Sequence, residues 1–117
     1  MMIKLAILLK RRKGMSHQEF LDYRRDVHAP LLLSIPETKQ YVRKFIVSTP
    51  LEAAGYPDSP YDAMVEAWFN SLHDLNAFYQ SDNFVNKVDT DHVNFLDVPA
   101  ALRLVTEETV VIAANGI

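Results

Sequence analysis

The segment from Met2 to Lys10 constrains the fold more than any other. Its alternate residues Ile3, Leu5, Ile7 and Leu9 are all apolar, whereas the other set, Lys4, Ala6, Leu8 and Lys10, is mixed. Side chains of a strand alternate between faces, so this segment is apolar on both faces at its middle and reads as a central strand covered on both sides. With Lys4 inside it, the run is far too short to cross a bilayer or to serve as a signal-peptide core. The expectation is a cytoplasmic chain with no membrane partner.

The rest of the chain supplies what covers that strand. Gly14 breaks the run, and Ser16 with Glu19 three residues later forms a capping-box signature for a helix beginning near His17. Phe20, Tyr23, Val27 and Leu31 follow helical spacing, and Pro30 allows a kink or a fresh turn after Ala29. Lys39 to Ser48, with Tyr41, Val42, Phe45, Ile46 and Val47, has the composition of a second strand. Leu51 to Pro60 is rich in turn formers and reads as a surface loop. A third strand follows over Tyr61 to Asn70. Ser71 then caps a second helix, in which Leu72, Leu75, Phe78 and Tyr79 share a face. Asn83 to Pro99 reads as short helix and loop, Leu102 to Ile112 as a fourth strand, and Ala113 to Ile117 as a fraying tail.

The order β-α-β-β-α-β over 117 residues predicts one α+β domain, residues 1–117, of the ferredoxin-like kind, with both helices on one face of an antiparallel sheet. In strand three Ala63, Val65, Ala67 and Phe69 suit packing under helices, which leaves Met64, Glu66 and Trp68 on the other face. With Leu8 added, that face is too apolar to stay wet, so a second copy is expected to cover it. The expected assembly is a homodimer whose facing sheets enclose an apolar pocket for a small hydrophobic ligand.

Charge and residue types exclude several functions. A net charge of -3 and a pI near 5.7 give no basic footprint for nucleic acid. The cluster Lys10-Arg11-Arg12-Lys13 reads as a solvated loop. Without cysteine there is neither a disulfide nor a thiolate site. The four histidines are scattered with no pair at i, i+4, which gives a metal site no support. Three glycines form no phosphate loop and no Gly-x-Ser-x-Gly elbow exists. No metal and no organic cofactor is expected.

Lys13-Gly-Met-Ser-His-Gln-Glu-Phe-Leu-Asp-Tyr-Arg-Arg-Asp-Val-His-Ala-Pro-Leu31 resembles the opening of EthD-domain proteins, members of the dimeric α+β-barrel superfamily. The similarity continues through Tyr41-Val42, Val65-Glu-Ala-Trp-Phe69 and Asp91-His-Val-Asn-Phe-Leu-Asp97, so it spans nearly the whole chain. The resemblance implies a two-chain barrel with a cleft between the sheet and helix one, and no single reaction. Relatives of the barrel include methylmuconolactone isomerases, polyketide cyclases, small monooxygenases and haem-handling enzymes. EthD itself resembles an accessory factor in ether degradation. Where the isomerase branch carries a histidine early in strand two, this chain has Lys39, which counts against lactone isomerisation.

His28 is the first candidate for chemistry, because an imidazole passes a proton either way near neutrality. Its alternative is a helix-end histidine that satisfies a hydrogen bond. Glu66, a carboxylate beside Trp68 on a mostly apolar face, is either a second acid or base with a raised pKa or half of a salt bridge across the dimer, to Arg43 or Arg103. Tyr23, Tyr41, Trp68 and His92 are candidates for contacting the substrate, each with a plain packing or hydrogen-bonding alternative, His92 to Asp89 or Asp97. His17 and His73 sit in first helical turns and are expected in solvent.

Three functions remain open at this point. One is a cofactor-free isomerase, cyclase or oxidoreductase acting on an aromatic or polyketide-like compound in a cleft shared by His28 and Glu66. The second is a non-catalytic binding or accessory protein of an oxidative pathway. The third is haem binding through His28 or His92.

Overall fold

The doubly apolar first segment becomes an inner strand. In the computed structural model, which describes residues 2–114, β1 (Ile3–Leu9) lies between β3 (Ala63–Phe69) and β4 (Leu102–Glu107), and β2 (Lys44–Ser48) forms the far edge beside β3. All neighbours are antiparallel, in the order β2-β3-β1-β4. With helices packed on one face, this is the ferredoxin-like α+β arrangement.

Register decides which side chains go under the helices. Leu5 pairs with Ala67, Ile7 with Val65 and Leu9 with Ala63. Leu5, Leu9, Ala63, Val65, Ala67 and Phe69 are all buried, and the small alanines let the helices approach closely. Two apolar clusters form on this side, one around Phe69, Phe78 and Val88, the other around Phe20, Phe95 and Leu9.

The helical layer begins with α1 (His17–Tyr23), whose capping box between Ser16 and Glu19 is complete. The chain continues through a π-helical turn, Arg24–His28, where the Ala29 N–H reaches back to the Arg24 carbonyl, into α2 (Ala29–Ser34). The extra residue per turn rotates the buried stripe, so His28 and Leu32 are buried while Val27 is 40% exposed, contrary to the regular spacing expected for Val27. Pro30 follows directly on the π-helical turn, as the second residue of α2.

Strand two starts later than its composition predicts. Pro36 opens a further helix, α3 (Pro36–Tyr41), so Lys39 and Tyr41 are helical, and extended backbone resumes at Val42. The second predicted helix is α4 (Leu72–Tyr79), capped by the Ser71 hydroxyl, which accepts from the Asp74 N–H. A second π-helical turn, Phe84–Val88, and two 3-10 turns, Asp89–Asn94 and Val98–Ala100, fill the expected short-helix-and-loop segment. β4 ends at Glu107, which stands opposite Ile3, the first residue of β1, rather than at Ile112. Of the expected fraying tail, residues 115–117 lie outside the described residues.

On the other sheet face, Trp68 is nearly covered by two ammonium groups, Lys4 at 5.4 Å and Lys44 at 4.7 Å from the ring centroid. Its indole N–H donates to Glu108.

Candidate functional site

Between the sheet and the helical layer lies a cavity of about 420 Å³. Its floor comes from β1, β3 and β4, with Ile7, Val65 and Val105, and its roof from the α1–α2 turn, α4 and the segment after α4. Most of the lining is apolar. The polar exceptions are Arg24, His28, Tyr79, Asp89, His92 and Arg103.

His28 reaches the cavity because the π-helical turn swings it onto the buried stripe. Its ring packs against Phe95 and His92, both 4.7 Å away between centroids. Behind it stands Asp91, buried and supplied by the first 3-10 turn. The Asp91 carboxylate accepts from three groups: the Tyr23 hydroxyl at 2.5 Å, the Asn94 amide at 2.9 Å and the His28 ring at 3.0 Å from Nδ1.

These contacts fix the protonation states. Burial alone would raise the Asp91 carboxyl, but its three donors outweigh that and hold it below the usual carboxylate range. Burial is also the largest influence on His28, and with the electrostatic influence of His92 and, less, of Arg24 it outweighs the help from Asp91, pressing the imidazole down to about 4. The Tyr23 phenol is raised, first by its bond to Asp91 and then by burial, and stays protonated. At neutral pH a neutral imidazole faces a charged carboxylate. Nδ1 must therefore carry the proton and donate it to Asp91, leaving the Nε2 lone pair free. Among the described residues Nε2 has no hydrogen-bond partner, yet no buried side-chain nitrogen or oxygen lacks one, so Nε2 opens onto accessible space.

The other candidates divide sharply. His92 lines the cavity and bonds Asp89 at 2.9 Å, one of the two partners considered for it. Tyr23 braces Asp91 instead of facing the cavity, and Tyr41 packs into the Phe69 cluster from α3. Glu66 and Trp68 are not in the cavity. In the register Glu66 stands opposite Ala6 and Ile46, on the face away from the helices, where Lys4 Nζ lies 2.9 Å from its Oε2. The shared cleft expected for His28 and Glu66 does not form, because the sheet separates them, and within the chain Glu66 pairs with Lys4. His17 is not a free surface group either: its Nδ1 lies 2.7 Å from the buried carboxylate of Asp62, which also holds Arg11 at 2.8 Å. His73 is exposed.

Asp91 and Arg24 escaped the sequence reading. Asp91 falls in the segment that reads as short helix and loop, although it lies in the stretch that carries the family resemblance. The four-residue spacing of Phe20, Arg24, His28 and Leu32 is the signal that places Arg24 on the cavity stripe. Among the described residues no three metal-binding side chains converge, and no helix is long and apolar enough to cross a membrane.

The EthD domain pattern matches residues 12–99. The chain belongs to the EthD-domain family. An EthD family protein from Bacillus halodurans has the same fold, with a TM-score of 0.72 and 22% identity over 93% of this chain and 100% of that one. A dimeric protein of unknown function from Bacteroides fragilis, described as ferredoxin-like, follows at 0.68 and 16% identity, covering 92% of this EthD chain and 96% of its own. A hydroxynitrile lyase from Passiflora edulis aligns with a TM-score of 0.62 and 17% identity over 92% and 95%. Among curated proteins none matches the EthD chain in sequence.

The neutral, buried His28 makes stability depend on pH. Its folded value near 4 lies below the ordinary 6.5, so between these values the unfolded chain binds the extra proton. Stability therefore falls as pH drops through that window, by up to about 3 kcal/mol from His28. Urea denaturation of the wild type and His28→Gln across the window tests this. The variant keeps a donor for Asp91 but cannot titrate, so its curve should be flatter, and parallel curves would contradict the assignment.

Proposed function

We propose that this chain binds a small apolar compound, aromatic or polyketide-like, in the cavity under its helices, and that His28 moves a proton on it without a cofactor. The observation that carries this reading is the unpartnered Nε2 of a neutral imidazole opening onto an apolar cavity, with a buried carboxylate fixing the tautomer from behind. Nε2 takes a proton from an acidic C–H or O–H of the compound, Asp91 stabilises the imidazolium, and the same proton returns to another atom of the compound. Protons balance, and the net result is an isomerisation or a ring closure. The low basicity of His28 in the empty cavity does not oppose this. Proton transfer leaves an anion beside the imidazolium, so an ion pair forms rather than an isolated buried charge. The Passiflora enzyme is an example of catalysis on this fold.

Native mass spectrometry of the protein as purified, followed by turnover of the retained compound, tests the reading. His28→Gln should lower turnover by about 10²- to 10⁴-fold while the compound still binds. Full turnover in the variant, or none in the wild type, leaves a binding role alone.

The working form on this reading is a homodimer joined through the open sheet face. Leu8 there stands between Met64 and Leu102, with Leu104 beside Ala6, and Leu102, Leu104 and Met64 are 54%, 63% and 38% exposed. An apolar band across three strands is a surface that a second copy would cover, and the Bacteroides relative is described as dimeric. Light scattering at micromolar concentration should give twice the chain mass, with Leu104→Glu shifting it toward the monomer. A monomeric wild type would overturn the assembly.

A further inference from the structure

The cavity's charges are out of balance. Arg24 enters the roof from the π-helical turn and Arg103 enters the floor from β4, so two guanidinium-bearing side chains approach one apolar space from opposite layers. Among the described residues neither has an ion pair or a side-chain hydrogen bond. Arg11 and Arg25, by contrast, hold Asp62 and Asp26 at 2.8 Å. Among the described residues only one carboxylate lines the cavity, Asp89, and it is engaged by His92. Asp91, behind His28, already accepts from three donors.

A half-buried guanidinium without a counter-charge is costly, and Arg24 feels that cost, since burial lowers its affinity for its proton. Nothing in the fold repays it. A bound anion would, because the guanidinium fork matches two oxygens of a carboxylate and is weakly hydrated to begin with. Apart from His28 and Tyr79, the rest of the lining, including Leu32, Val65, Phe78 and Val88, offers only apolar contact. The chain as a whole carries a net charge of -3, so the positive cavity is a local feature and not a reflection of overall charge.

We infer that the ligand of this cavity is an apolar monoanion, a carboxylate or an acidic enol, whose oxygens are held by Arg24 and Arg103 while its hydrocarbon body fills the space beneath α4. The inference rests on the cavity being the ligand site and adds the charge of the ligand. It also gives His28 a consistent setting. An anion held by Arg24 offsets that residue's share of what disfavours protonation of the imidazole, after burial and His92.

Octanoate and 1-octanol separate the two ideas, having hydrocarbon bodies of similar size and different charge at neutral pH. By calorimetry, octanoate should bind the wild type at least about tenfold more tightly than 1-octanol, the gain expected of one charge-assisted contact. Arg24→Leu should erase most of that preference while leaving 1-octanol affinity within about threefold, which shows that the cavity is intact. Arg24→Lys should keep part of it, and Arg103→Leu should weaken octanoate selectively. Equal affinity of the two probes for the wild type overturns the inference but leaves the cavity as a ligand site. If neither probe binds or perturbs amide resonances of cavity residues, the reading of the cavity falls with it.

Discussion

The buried carboxylate of Asp91 is the interaction on which the rest of the site depends. It ties Tyr23 of α1 and His28 of the π-helical turn to the 3-10 turn that carries Asp91 and Asn94. A buried charge survives only when fully hydrogen-bonded, and three donors meet that need. The bond to Nδ1 also sets the tautomer of His28, so one carboxylate both joins two helical segments and determines which ring nitrogen is free. Removing any donor would leave part of the charge unpaired, which couples the folding of this corner to the chemistry it offers.

The two faces of the sheet perform different tasks. Under the helices, strand alternation supplies a floor that is apolar apart from Arg103, and the roof of the cavity carries aromatic rings, two histidines and Arg24. On the other face, Lys4, Glu66, Lys44 and Trp68 form a polar and aromatic patch beside the apolar band of Leu8, Met64, Leu102 and Leu104. Glu66 belongs to that patch. Its carboxylate neutralises Lys4, which in turn lies over Trp68. The sheet's own thickness keeps this network out of reach of His28.

Much of the fold was legible because it rests on local rules. The Ser16–Glu19 box and the Ser71 cap start helices where hydroxyl geometry dictates, and period-two alternation in β3 assigned Phe69 to the helical side and Trp68 to the other. The same alternation already separated Glu66 from any helix on the Phe69 side. The expected shared cleft does not form because His28 stays on the helical side of the sheet and Glu66 on the other. Tyr41 was misplaced because Pro36 restarts a helix through a composition that favours strand. Asp91 and Arg24 were harder. A π-helical turn has no pattern of its own in sequence, and what makes Asp91 important is the convergence of Tyr23 and His28 from more than sixty residues away.

The central claim is that His28 is a neutral imidazole with its Nδ1 proton on Asp91 and its Nε2 free toward the cavity. Long-range nitrogen-15 NMR of the histidine rings measures this directly. The account predicts one ring that keeps the Nδ1-protonated neutral tautomer from about pH 8 to about pH 5, outside the usual histidine titration range, and that loses this signature in Asp91→Asn. A His28 ring that titrates near the ordinary value of 6.5, or carries its proton on Nε2, would contradict it.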